Sequence, residues 1–202
     1  MTEHAPKPVI AAFDFDGTIT TRDTFVPYLD RAFGWWPVRR ALLSLTGEAV
    51  RLLLKRRTRD DFKAKLIKRL FTGQALARLR EVGHGHASAI ESLLRPAAIE
   101  RIVWHRQQGH RLVMVSASLD LYLEPIAERL GFDDLLCTRL SHDRSLCDGG
   151  MEGENCRAAE KIQRLERLLG ALDDYVIYAY GDSAGDKELL EAADFPHFRP
   201  FL

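Results

Sequence analysis

The chain has 202 residues, 46% of them apolar and 29% charged, with 29 basic and 29 acidic side chains. That length can bury a sizeable core, and that composition excludes a disordered chain. A formal net charge of zero gives no bulk reason to expect a polyanionic partner.

The opening residues, MTEHAPKP, lack the basic start and long apolar run of a signal peptide, and no later stretch of about 20 apolar residues exists to span a membrane. Val9 to Phe15 is a short continuous apolar run, as expected of a strand buried on both faces of a parallel sheet. From Thr21 to Arg95 the patterns are helical and no good strand is found. Val38, Ala41, Leu42, Leu45, Ala49, Leu52 and Leu53 line one helical face. A second helix is expected over Arg59 to Leu70, with Asp60 and Asp61 in its first turn, where the helix dipole favours them. A third runs through QALARLREV, Gln74 to Val82, and the GHGH that follows reads as a glycine-rich loop between helices. Pro96 closes this segment.

The second half alternates. Ala97 to Gly109 is a helix that stops at glycine, and Arg111 to Ser118 is a second buried strand. Leu135 to Leu140 is a weaker strand, and Asp148-Gly149-Gly150 predicts a sharp hairpin turn. Ala158 to Gly170 is a helix and Tyr175 to Asp182 another strand. The expected fold is α/β with a mostly parallel sheet, residues 1–20 and 96–202 forming a Rossmann-like core and 21–95 a helical insertion after the first strand.

Ligands of open α/β sheets sit beyond the carboxyl ends of the strands. Here those ends carry Asp14 and Asp16, then Ser116 and Ser118, then Asp182 and Asp186 in GDSAGD, with Lys161 near the start of the preceding helix. Two like charges about 4 Å apart repel by roughly 4 kcal/mol at an effective dielectric near 20, so four carboxylates need compensation. Magnesium, a hard cation that prefers oxygen ligands, is the expected remedy, with a bound phosphate group completing its shell. The Ser116 hydroxyl and the Lys161 ammonium suit phosphate oxygens. Asp14 is placed to be a carboxylate nucleophile and Asp16 an acid and base, while Gly17 permits a tight turn and close approach of the backbone. Taken alone, each motif has a plainer reading: a solvated turn, serines capping the next helix, a surface lysine.

DFDGT, then a strand ending in Ser116, then Lys161, then GDSAGD, resembles the four motifs of the haloacid dehalogenase-like superfamily, in the same order and over nearly the whole chain. The insertion after the first motif resembles the helical cap of the subgroup that includes phosphoserine phosphatases. NCRAAEK before YAYGDSAGD is similar to the bacterial subfamily IB hydrolases, relatives of a phosphatidylglycerophosphate phosphatase. The resemblance implies that Asp14 attacks phosphorus and forms an aspartyl-phosphate, and that Asp16 protonates the leaving group and then activates water. Ser116 and Lys161 would hold phosphoryl oxygens. Asp14, the backbone carbonyl of Asp16, and Asp182 would bind Mg2+, with Gly17, Thr18, Ala117 and Asp186 in support. Dehalogenases of the superfamily lack the aspartate found here as Asp16, and its ion pumps carry lysine there, so Asp16 favours phosphate esters. Phosphoserine itself is disfavoured, because Gly17 stands where those enzymes have serine and TTRDTF carries no amine-binding glutamate, leaving Arg22 or Asp23 as substrate contacts.

Three cysteines, Cys137, Cys147 and Cys156, match no zinc or redox spacing and point to a reducing, cytoplasmic setting, although Cys147 and Cys156 could meet across a hairpin. His84 and His86 in GHGH are too few for a metal site and are expected near the active-site mouth if they touch substrate. From Arg31 to Leu70 there are twelve basic and three acidic residues, a net +9 against −9 elsewhere, with Trp35 and Trp36 near the start. Such a helix can lie on an anionic membrane. The reading preferred from sequence is a solvated basic face whose apolar side packs within the cap. A small phosphorylated substrate is the expected partner; a phospholipid headgroup is the alternative, a non-catalytic phospho-ligand module is a third reading, and no nucleic acid is expected.

Overall fold

β1 (Val9–Phe13) is central in a five-stranded sheet, and alternation of its side chains creates two layers. Ile10 and Ala12 point to one face and pack with Val113, Val115, Ile177 and Leu165. Ala11 and Phe13 point to the other and pack with Leu112, Met114, Ile102 and Tyr180. The structure, a computed structural model, describes residues 6–52 and 59–202, without the side chains of 46–52.

The sheet order is β3-β2-β1-β6-β7, with β2 at Arg111–Leu119, β3 at Asp134–Thr138, β6 at Val176–Gly181 and β7 at Phe195–Phe198. Every neighbouring pair is parallel, so the sheet is the expected α/β, Rossmann-like one. The helices between strands are α5 (Pro96–Gln107), α6 (Asp120–Leu130), α7 (Ala159–Leu169) and the short α8 (Lys187–Glu191). β7 escaped the sequence reading because FPHF is only four residues long and contains proline. At the edge of a sheet proline is tolerated, since one side of the strand needs no donor.

Between β1 and α5 the described residues form four α-helices: α1 (Phe25–Phe33), α2 (Trp35–Leu52), α3 (Arg59–Phe71) and α4 (Leu76–Ile90). Their chain ends meet, since the Thr21 amide donates to the Leu93 carbonyl and the Arg95 amide to Ile19, at 2.9 and 2.8 Å. Val38, Ala41 and Leu45 of α2 are buried as the periodicity predicts; Ala49 and Leu52 have no described side chain, and Leu53 lies outside the described residues. The four helices join the core's own apolar cluster through Tyr28, Ile67, Leu79 and Tyr122.

Two local expectations are corrected. GHGH is not a loop but lies within α4. A side chain at Gly83 would collide with the Leu121 backbone of α6, its Cβ only 2.7 Å from the carbonyl carbon, so this glycine serves helix packing. Likewise Asp148-Gly149-Gly150 is not the hairpin turn. β4 (Leu140–Asp143) and β5 (Leu146–Met151) are antiparallel and turn at Arg144-Ser145, with Arg144 at φ 53°. Gly149, at φ +85°, lets β5 approach α3, where a Cβ would lie 3.1 Å from the Lys68 Cα. All three cysteines are buried and free.

Beneath α5, His105 is buried between two partners, Tyr180 Oη at 2.8 Å from Nε2 and His110 Nδ1 at 2.7 Å from its own Nδ1. Burial, and then the His110, Arg101 and His197 charges, push His105 down to about 4 from an ordinary 6.5. The unfolded chain therefore takes up a proton between pH 6.5 and 4 that the fold refuses, and stability is lost as pH falls through that window. The stability difference between wild type and His105→Asn should shrink on acidification from pH 7 to 5, by up to about 2 kcal/mol at 1.36 kcal/mol per unit. Paired urea titrations at the two pH values measure it; a constant difference would contradict the burial argument.

Candidate active site

The site begins where β1 ends. Asp14 stays extended, at φ −69° and ψ 159°, and its amide donates to the Tyr180 carbonyl at 2.9 Å, so its side chain leaves the top of the sheet. Gly17 then turns the chain at φ +81° and passes the Asp182 carboxylate so closely that a Cβ would sit 2.8 Å from its carboxyl carbon. The β2 end carries a register break between Ser116 and Leu119, which releases Ala117 and Ser118 from the ladder. The first residues of α7 deliver Lys161, and the turn after β6 delivers Asp182 and Asp186.

Lys161 is the electrostatic centre. Its Nζ lies 2.6 Å from Asp14 Oδ1 and 2.5 Å from Asp186 Oδ1, and all three side chains are buried. Burial opposes its charge, but the two carboxylates outweigh burial and raise its pKa. Asp186 also accepts from the Ser183 amide at 3.0 Å and the Ser183 hydroxyl at 2.8 Å. Burial resists its charge too, yet Lys161 and these donors hold it below the usual carboxylate value. Asp14 fares differently: burial, opposed by Lys161 and reinforced by Asp186 and Asp16, pushes it up to about 7. Its second oxygen accepts from the Thr18 hydroxyl at 3.1 Å.

Asp16 is anchored apart from this group. Oδ1 accepts from the Thr24 amide at 2.8 Å and the Thr24 hydroxyl at 2.6 Å, and Oδ2 accepts from the Ser118 hydroxyl. Burial first, then the Asp23 charge, lifts it to about 6, against the pull of those donors. Ser118 therefore does not cap α6, whose N-terminal residue, Leu119, makes no side-chain cap bond. Ser116 is buried at the same strand end, and its Oγ accepts from the Ser118 amide at 3.1 Å.

Asp14, Asp182 and Asp186 offer oxygens that all lie within 4.8 Å of one another. Of the expected metal ligands, Asp14 and Asp182 lie in this group together with Asp186; Asp16 is expected to contribute only its backbone carbonyl, and its carboxylate turns to Thr24 and Ser118. A cavity of about 750 Å3 opens above these residues. Its floor includes Asp14, Asp16, Ser116, Ala117, Lys161 and Asp182, and Phe25, Val26, Leu42, Phe62 and Leu66 from α1 to α3 form an apolar wall opposite.

Sequence reasoning missed three contributors. Lys63 of α3 donates to the Ala117 carbonyl and, at 2.8 Å, to Asn155 Oδ1, and Asn155 in turn donates to Asp60 Oδ1 at 2.5 Å. Burial lowers Lys63 to about 8 against the pull of Asp16 and Asp60. Neither TTRDTF, which holds Thr24, nor NCRAAEK, which opens on Asn155, says what these two side chains bind, and only folding brings them here. His86 is buried in α4, with Nε2 2.9 Å from the Thr24 carbonyl and its ring edge-on to Tyr122. Burial keeps it neutral by lowering its pKa, so Nε2–H donates and fixes the residue that holds Asp16. His84 is exposed on the same helix. His86→Ala is expected to lower kcat roughly tenfold with little change in KM, as a lost positioning contact. A steady-state pH–rate profile would check it, and an unchanged profile and rate would remove His86 from the site.

Carboxylates on the strand ends of a parallel sheet and an ammonium from the adjoining helix, below an open cavity, place this chain among hydrolytic enzymes of the α/β class. The chain belongs to the haloacid dehalogenase-like hydrolase family, whose model matches residues 11–191. It is 38% identical over 204 residues to Protein CicA of Caulobacter vibrioides, covering 98% of this chain and 89% of that one. It is 30% identical over 199 residues to a probable phosphatase of Mycobacterium tuberculosis, covering 93% and 68%. A solved phosphoserine phosphatase, an analogue of its phospho-aspartyl intermediate, aligns with a TM-score of 0.61 at 21% identity, covering 93% of this chain and 84% of that one. At that identity the likeness is one of fold.

Proposed function

We propose that this haloacid dehalogenase-type phosphatase is a magnesium-dependent phosphomonoester hydrolase that works through an aspartyl-phosphate on a small phosphorylated metabolite. The observation that carries the reading is the separation of a buried aspartate, Asp14, from a half-buried one, Asp16. Asp14 is paired to Lys161, and Asp16 is held by Thr24 and Ser118, both at the floor of one cavity. Asp14 attacks phosphorus in line. Asp16, poised near 6, protonates the leaving oxygen and then takes a proton from water. Ser116 and Lys161 hold the phosphoryl oxygens, and Asp186 keeps Lys161 aimed at Asp14.

The donor set fits Mg2+. Three carboxylates within 4.8 Å face one ammonium, a formal excess of two negative charges, and all the donors are hard oxygens. Asp14, Asp182 and the backbone carbonyl of Asp16 would hold the ion, which supplies positive charge to the phosphoryl oxygens. Residues 21–95 act as a cap over the core residues 1–20 and 96–202, opening for substrate and closing to exclude water. Among the described residues no helix is long and apolar enough to cross a membrane. A cytoplasmic setting fits three buried free thiols.

A phospholipid headgroup phosphate is the second reading, favoured by the apolar wall of the cavity. A non-catalytic phospho-ligand module is disfavoured by the complete set of Asp14, Asp16, Lys161 and Asp182. Phosphate release with and without Mg2+ across aryl phosphate, phosphoserine, sugar and nucleotide monophosphates and micellar phosphatidylglycerophosphate tests all three. Turnover of no member would sink the hydrolase reading in favour of the binding module.

A further inference from the structure

α2 has an outward side whose apolar residues stay exposed among the described residues. Val38, Ala41 and Leu45 face inward and are buried, at the spacing of one helical face. Trp36, Arg40 and Leu43 recur at the same spacing on the opposite face, where Trp36 is 73% and Leu43 69% exposed. Trp35 is 54% exposed beside them, with its ring edge-on to Trp36 and the Arg39 guanidinium 5.7 Å above it. Two adjacent exposed tryptophans on a helix are costly in water and need an occupant.

Charge selects the occupant. Residues Arg31 to Leu70, which include α2 and α3, carry a net +9 that the rest of the chain balances. Lys68 and Arg69 at the end of α3 are exposed, and α2 and α3 pack together. An outward face mixing tryptophan, leucine and arginine in a cationic segment matches the interface of an anionic bilayer, where indole rings settle at headgroup depth and basic residues meet lipid phosphates. We propose that α2 docks this protein on anionic lipid bilayers through Trp35, Trp36 and Leu43, with Arg40 at the headgroups. Leu42, one residue from Leu43, lines the active-site cavity, so the docking helix is also part of the wall of that cavity. The surface stands apart from Asp14, Asp16 and Lys161, and its test is independent of what they hydrolyse.

The experiment is co-sedimentation of the full chain with phosphatidylcholine vesicles, with and without phosphatidylglycerol, at low and high salt. Tryptophan emission is recorded in parallel. Binding only to the phosphatidylglycerol vesicles, weakened by salt and accompanied by a blue shift, is expected. Trp36→Ala with Leu43→Ala should weaken partitioning roughly tenfold or more, while circular dichroism and hydrolysis of a soluble aryl phosphate stay at wild-type level. No binding to phosphatidylglycerol vesicles, or equal binding by the double variant, would overturn the proposal. So would a concentration-dependent dimer that the double variant abolishes without any vesicle binding, because the face would then join two copies of this chain.

Discussion

Asp14→Asn is expected to reduce phosphate release by about 10^4-fold or more while leaving the fold intact, because a nucleophile is lost and little else changes. The physical reason for the second half is the position of Asp14 on its own titration curve. Burial already pushes it up to about 7, so the fold tolerates the uncharged form near neutrality. An amide of the same shape can still accept from Lys161 and face Thr18, and Lys161 keeps its contact with Asp186 at 2.5 Å. Thermal unfolding of the variant should fall within a few degrees of wild type. Purified variant that retains wild-type turnover on any panel member would remove Asp14 as the nucleophile. Variant that is inactive but also unfolded would call for Asp14→Ser, which is smaller and equally uncharged.

Lys161→Met should produce the opposite pattern, a large loss of stability as well as of activity. It leaves Asp14 and Asp186 buried together with no cation between them, and breaking a buried pair by removing one partner costs about 3–5 kcal/mol. For a chain of this size that is a fall in Tm on the order of 10 °C. The pH dependence supplies a second check. Against burial, Lys161 is what holds the Asp186 pKa below the usual carboxylate value, so without the ammonium that pKa rises and the variant's folded state takes up a proton on acidification that the wild-type fold refuses. By linkage the variant recovers stability relative to wild type as pH falls toward the ordinary carboxylate range. Differential scanning calorimetry at several pH values would show the gap to wild type narrowing on acidification. A gap of one or two degrees that ignores pH would show that the pair contributes little, and Lys161→Arg would then be expected to behave as wild type in stability.

Much of the site stands in the linear chain because parallel sheets put their chemistry at strand ends. Three apolar runs that each finish in Asp or Ser already say which residues share an edge, and Asp14, Ser116, Asp182 and Asp186 follow from that rule, while Lys161 follows from its place near the start of the preceding helix. The helix periodicity of Val38, Ala41 and Leu45 likewise needs no tertiary information to predict burial. Glycine was the least legible residue. In GHGH and in Asp148-Gly149-Gly150 it reads as a breaker, yet Gly83 and Gly149 are there so that α6 and α3 can come close, a contact with residues 38 and about 80 positions away.

What only the tertiary structure decided is how each carboxylate is held. Thr24 and Ser118 bind Asp16 from opposite sides, 8 and 102 residues away in sequence, and His86 fixes Thr24 from another helix. Lys63 and Asn155 tie α3 to the strand end that carries Ala117. His86 and Asn155 fall in recognisable stretches, GHGH and NCRAAEK, yet nothing in those stretches names their partners, because a hydrogen bond constrains position and polarity but not neighbours in the chain. The same limit applies to the outer face of α2. Its composition already announces tryptophan and positive charge, but which side of the helix is spent on the core, and which is left for a partner, depends on what packs against it. Strand-end chemistry is local and periodic, so the sequence determines it; ionisation, positioning and exposure depend on distant contacts, so folding determines them.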